Sequence, residues 1–117
     1  NNPMVRIRLR RTGMKGQASY RIVAAEKEKP RDGKFLEILG TYNPRTEPST
    51  VEVKEDRIYE WLKNGAQPSD SVKQIFGYTG VLDRYERFKA GEEVEVLMAE
   101  SAKMMEERNV NPRTRRD

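Results

Sequence analysis

Val5-Arg6-Ile7-Arg8-Leu9-Arg10 alternates apolar and basic residues without a break. At the strand period of two, Val5, Ile7 and Leu9 fall on one face and Arg6, Arg8 and Arg10 on the other. The apolar face has to be buried, so the three arginines share one outward surface. Downstream, Thr12-Gly13-Met14-Lys15-Gly16-Gln17 reads as a loop with two glycines and one lysine. Tyr20-Arg21-Ile22-Val23-Ala24-Ala25 reads as a second strand, buried enough to lose clean alternation. In Lys29-Pro30-Arg31-Asp32-Gly33-Lys34 the proline presets φ and Asp-Gly tolerates a left-handed residue, so a turn is expected. Phe35-Leu36-Glu37-Ile38-Leu39 gives a third strand closed by Gly40. Thr41 to Pro44 leads into a polar loop ending near Pro48, and Thr50-Val51-Glu52-Val53 is a short fourth strand.

Helical periodicity follows. Ile58, Trp61 and Leu62 form an apolar stripe within 55–64, with Trp61 in the core and Gly65 as the stop. Ser69 can cap a second helix carrying Val72, Ile75 and Phe76, with Asp70 and Ser71 suiting its first turn and Gly77 ending it. From about Leu82 the character changes. A short helix is expected over 83–90, carrying Tyr85 and Phe88. A longer one spans 92–108, with Val94, Leu97, Met98, Ala102 and Met105 on one face and acidic residues opposite. The polar, basic stretch 109–117 reads as a flexible tail. Strands followed by helices indicate an α+β domain: one small, mostly antiparallel sheet of four to five strands packed with two helices, plus a C-terminal helical extension.

The 117 residues suffice for one ordinary domain. Only twenty-three are Val, Ile, Leu or Phe, and 36% are charged, so a small core with polar extensions is expected. Without cysteine there is no disulfide, thiolate metal site or cysteine nucleophile; without histidine the usual zinc ligand and general base are missing. No apolar run approaches a membrane span. The net charge of +4 is unevenly placed. Residues 1–34 hold ten Lys/Arg against three Asp/Glu, whereas 35–110 hold ten against fifteen. A basic end on a weakly acidic body suits a protein that grips a polyanion with one face.

The arginine row is the sharpest chemical signal. Alternate side chains along a strand project about 6.5–7 Å apart, close to the phosphate step of a nucleic-acid strand, and arginine binds phosphate through two parallel bonds. Arg11, Lys15, Arg21, Arg31 and Lys34 add to the cluster. Charge that merely keeps an edge strand soluble is the competing reading. Tyr20, Tyr42 and Tyr78 suit base stacking, or packing with the hydroxyl at the surface. A metal-dependent nuclease would need paired carboxylates, but Glu55-Asp56 and Glu92-Glu93 are adjacent residues that diverge on a helix. Gly13-x-x-Gly16 lacks the strand-to-helix setting of a nucleotide loop. A protein-interaction module acting through the 92–108 helix is the alternative to nucleic-acid binding.

The order of motifs carries a further signal. Met4-Val-Arg-Ile-Arg-Leu-Arg-Arg-x-Gly13 is followed by Tyr20-Arg-Ile-Val-Ala-Ala, Pro30-Arg-Asp-Gly-Lys34 and Leu39-Gly-Thr-Tyr-Asn-Pro44. Asp56-Arg-Ile, Trp61-Leu and Asn64-Gly-Ala-Gln-Pro-Ser69 come next. Over residues 4–82 the chain resembles the bacterial-type family of small-subunit ribosomal proteins numbered sixteen. The resemblance implies a core domain at 4–82 and a helical extension with a basic tail at 83–117. It implies a structural protein that binds small-subunit rRNA and supports subunit assembly, with no cofactor, metal, catalytic residue or small-molecule substrate. Neighbouring small-subunit ribosomal proteins are the other implied partners; neither a membrane nor homo-oligomerisation is expected. The implied location is a ribosome, in the cytoplasm or an organelle. Carried onto this chain, the rRNA contacts are Arg6, Arg8, Arg10, Arg11, Lys15, Arg21, Arg31 and Lys34, with Tyr42, Asn43 and Gln67 secondary. Where the family has a basic residue and proline before the aromatic-Tyr-Arg pair, this chain has Gln17, Ala18 and Ser19, which implies a looser contact there.

Overall fold

A computed structural model describes residues 4–27 and 34–109, together with the backbone of 113–114. The first strand, β1 (Val5–Met14), runs beyond the alternating stretch and pairs antiparallel with β2 (Gln17–Glu26). The expected loop at 12–17 is therefore mostly strand. Only Lys15 and Gly16 lie outside the pairing, and Gly16 at φ 78° supplies the left-handed residue that lets two residues close the hairpin. Arg31 and most of the expected 29–34 turn lie outside the described residues, as does most of the tail.

β3 (Glu37–Asn43) pairs with β2, and β5 (Thr50–Val53) pairs with β3. Gly40 does not close β3 but sits inside it. A Cβ there would collide with the Glu52 carbonyl on the neighbouring strand, so glycine permits a close cross-strand approach. Register slips by one residue opposite Ile22 and Val23, leaving Leu39 as the extra residue of a bulge whose carbonyl accepts from Lys54 N–H at 2.7 Å. Thr41 to Asn43 belong to the strand, and the loop is only 44–49, carrying the two-residue β4 (Thr46–Glu47).

α1 (Glu55–Lys63) ends where expected, with Gly65 at φ 97°. Trp61 is half-buried rather than enclosed, because its indole N–H donates to Glu37 Oε1 at 2.9 Å near the surface. β6 (Gln67–Pro68), which no periodicity announced, pairs parallel with Arg6 and Ile7 and completes a sheet of order β5-β3-β2-β1-β6. Ser69 caps α2 (Asp70–Tyr78), its Oγ accepting from Val72 N–H at 3.4 Å. Gly77 lies within that helix; the stop is Gly80, at φ 83°. α3 (Val81–Lys89) and α4 (Val94–Asn109) follow, and β7 (Arg113–Thr114) pairs with β4.

One core joins sheet and helices: Ile7, Ile22 and Leu39 from the strands, Ile58, Val72 and Phe76 from α1 and α2, and Val81, Leu97 and Met105 from α3 and α4. The buried row of α4 is Leu97, Ser101 and Met105, whereas Ala102 is exposed. The stripe is rotated from the expected one because a serine hydroxyl, not the alanine methyl, meets the interior. This face is enclosed by its own domain, and the interaction-module alternative is not supported.

Candidate nucleic-acid interface

Partnered residues of adjacent strands project from the same side of a sheet, so register fixes which basic residues meet. Ile7 and Leu9 stand beside Ala24 and Ile22, over the core. The other face carries Arg6 beside Ala25, Arg8 beside Val23, and Arg10 beside Arg21. Val23 and Ala25 are each 1% exposed yet lie outside the core cluster. Between arginine stems they make an apolar floor on which the guanidinium groups ride at the rim.

Arg6, Arg8 and Arg10 are half-buried and Arg21 is exposed. Arg6 Nε is enclosed without a hydrogen-bond partner, Arg8 is engaged by neighbouring groups, and Arg10 stands 5.2 Å over the Phe35 ring. Gln67 pairs with Arg6 across the parallel strands and is exposed at the end of this row. Arg11 belongs to the opposite face, in one cross-strand row with Tyr20 and Tyr42, whose rings lie 6.0 Å apart. Lys15 is exposed at the hairpin tip and Lys34 at the approach to β3. Asn43 Oδ1 accepts from Arg45 N–H at 2.9 Å and so shapes the 44–49 loop. The structure thus gathers Arg6, Arg8, Arg10, Arg21 and Gln67, and holds Arg11 with Tyr42 apart from them.

Like charges directly opposite on a sheet, as Arg10 and Arg21 are, repel, and the sequence has no Asp or Glu between Met4 and Ala25. Among the described residues no cluster of acidic side chains could hold a metal ion, and no helix is long and apolar enough to cross a membrane.

The sequence pattern of the family described as Ribosomal protein S16 matches residues 11–69. The small ribosomal subunit protein bS16 of Halothermothrix orenii is 56% identical over 81 residues, covering 69% of this chain and 92% of that protein. Its counterpart in Coprothermobacter proteolyticus is 58% identical over 78 residues, covering 67% of this chain and 96% of that protein. The chain belongs to the ribosomal protein S16 family. S16 proteins are structural and carry no catalytic activity.

α4 is tied to the rest of the chain by a network that the sequence reading missed. Glu55, 2% exposed at the start of α1, receives Arg84 Nε at 2.7 Å and Nη2 at 3.0 Å. Ser101 Oγ of α4 donates to the same carboxylate at 2.7 Å, and Tyr59 Oη donates to it as well. Arg84 Nη2 also donates to the Thr79 carbonyl at 2.9 Å, so the buried pair is hydrogen-bonded on both sides. Burial opposes the charge on Arg84, but the Glu55 hydrogen bond and the nearby negative charge together outweigh it and raise the Arg84 pKa. Burial, then the bond to Glu55, pushes the Tyr59 phenol far above its ordinary value. Spacing held a signal: Arg84 lies in line with Val81 and Phe88, and Ser101 lies between Leu97 and Met105. A polar residue on an apolar stripe requires a buried partner.

Proposed function

We propose that this S16-family chain is a structural constituent of the small ribosomal subunit, located in the ribosome. It binds small-subunit rRNA through the arginine face of β1 and β2 and supports subunit assembly and translation. The observation that carries the reading is the pairing of Arg10 with Arg21 beside Arg6 and Arg8, in a stretch without one acidic residue. Four cations gathered on one face are complementary to a phosphate backbone. Arg11, Lys15, Arg31 and Lys34 add further phosphate contacts, and Tyr42, Asn43 and Gln67 contribute secondary contacts. Binding rests on phosphate and shape, with base readout subordinate.

In this reading residues 4–82 form the rRNA-binding core and 83–117 an extension reaching toward neighbouring rRNA or small-subunit proteins. The chain acts as a single copy. Reconstitution of small subunits from rRNA and a protein mixture lacking only this component tests the assembly role. Adding the chain is expected to restore complete particles on sedimentation, with the chain present once in each. Particles that form equally well without it, and leave it unbound, would contradict the proposal.

A further inference from the structure

The two edges of the sheet are treated differently. At the β5 edge, Val51 N–H donates to Asn109 Oδ1 at 3.5 Å and Asn109 Nδ2 donates to the Val51 carbonyl at 3.0 Å, so one side-chain amide stands in for a neighbouring strand. Arg108 closes the adjoining loop, donating to the Ser49 carbonyl at 3.1 Å and stacking 4.5 Å over Tyr78. At the opposite edge β6 pairs only with Arg6 and Ile7, and cover ends where Ser69 N–H donates to the Ile7 carbonyl at 2.8 Å.

Beyond Ile7 the direction of each main-chain group follows from alternation. The Met4 carbonyl accepts from Lys27 N–H on the β2 side, whereas that of Ile7 points to β6. Even-numbered residues of β1 therefore bond to β2 and odd-numbered ones face outward. Leu9 and Arg11 direct their N–H and C=O groups at the open edge, where they meet no partner among the described residues. Open edges invite pairing, and this chain seals the other one. Arg8 and Arg10 flank the open amides on one face, Arg11 on the other, and Lys15 stands at the end. Unbonded amides with cations above and below make a donor set for oxyanions.

We propose that the sugar-phosphate chain of an RNA runs along this open edge, its phosphate oxygens accepting from the Leu9 and Arg11 amides. The proposal deepens the rRNA reading and rests on it. Two strand residues advance about 6.6 Å, close to the step between successive phosphates of an extended RNA strand. An RNA strand carries a charge at every step, whereas a peptide strand would need acidic side chains on both faces to match these cations. The contact is blind to base identity, so it adds affinity and register without adding sequence preference.

Hydrogen exchange of the full chain, read at single-residue resolution with and without transcribed small-subunit rRNA, tests it. On RNA binding, exchange at Leu9 and Arg11 is expected to slow by at least about tenfold, while Arg8 and Arg10, already bonded to β2, stay unchanged. Salt-sensitive RNA binding that leaves Leu9 and Arg11 exchanging as in the free chain would overturn the edge contact and leave the rRNA reading standing. Absence of RNA binding would overturn both. Protection that arises without RNA and grows with protein concentration would assign the edge to a second copy instead. Comparison of Arg11→Pro with Arg11→Ala supplies a second readout. Both remove the charge, but only proline removes the outward N–H, and an edge position with its N–H turned outward tolerates proline. Arg11→Pro is expected to bind about tenfold more weakly than Arg11→Ala; equal affinity would overturn the proposal. If the proline disturbs the hairpin, the exchange measurement decides alone.

Discussion

Arg84 and the arginines of β1 are one residue type under opposite conditions. Arg84 is 1% exposed, and every direction it faces is filled by Glu55, the Thr79 carbonyl or Met104. Arg6, Arg8, Arg10 and Arg21 stand at a rim over Val23 and Ala25, with Arg10 directly opposite Arg21. The first arrangement consumes the charge internally to join α1, α3 and α4. The second gathers basic side chains on one face of the sheet, which suits an external polyanion. In the proposed reading stability and binding are divided between two sets of arginines, and substitutions should separate them.

The largest separation is expected at Arg84. Arg84→Ala leaves a buried carboxylate without its cation and should cost about 3–5 kcal/mol, read by denaturant unfolding, with no direct effect on the RNA-binding face. Replacing both partners, Glu55→Leu with Arg84→Met, should recover most of that loss. Failure to recover would mean that the network holds the helices by more than charge pairing. Gly80→Ala comes next, since a Cβ would lie 2.6 Å from Arg84 Nη1 at a φ of 83°; a loss of about 1–3 kcal/mol is expected in the same assay. Asn109→Ala removes both bonds to Val51 and should cost about 1 kcal/mol, with concentration-dependent association through the bared β5 edge visible by light scattering.

The smallest effect is at the surface pair Arg57–Glu37, joined at 2.8 Å. The bond from Arg57 holds the Glu37 carboxyl below its usual range. A lowered folded-state pKa contributes stability that is present above the unfolded value and lost as pH falls through the folded one. Arg57→Ala should therefore flatten the acid side of a plot of Tm against pH slightly, because the pair is solvated. An unchanged acid limb would remove Glu37 from that account.

The alternation at 5–10 was legible because one face of a half-buried strand must be apolar, and the caps at Ser69 and Gly65 because their chemistry is local. The family order of motifs was legible for the same reason: each motif is a contiguous run. Features set by distant residues were not. Gly40 looked like a strand stop because the Glu52 carbonyl that it accommodates lies twelve residues away. Two-residue β6 has no period to detect. Glu55 was weighed only as a neighbour of Asp56, because its partners Arg84 and Ser101 lie 29 and 46 residues further along. Of the candidate contacts, the β1 row could be grouped by period, whereas Arg21 joins it only once the register is known, and Arg11 separates from it once β1 is seen to continue past residue 10.

In the proposed function the β1 face carries the rRNA contact while the buried network carries the fold. Binding of the full chain to transcribed small-subunit rRNA across a salt series, beside Arg6→Ala/Arg8→Ala/Arg10→Ala, tests it most directly. The account predicts that the variant unfolds like the parent, binds more weakly, and loses about one unit of log-log salt slope for each phosphate contact removed. A variant that binds with the parent's affinity and slope would contradict it.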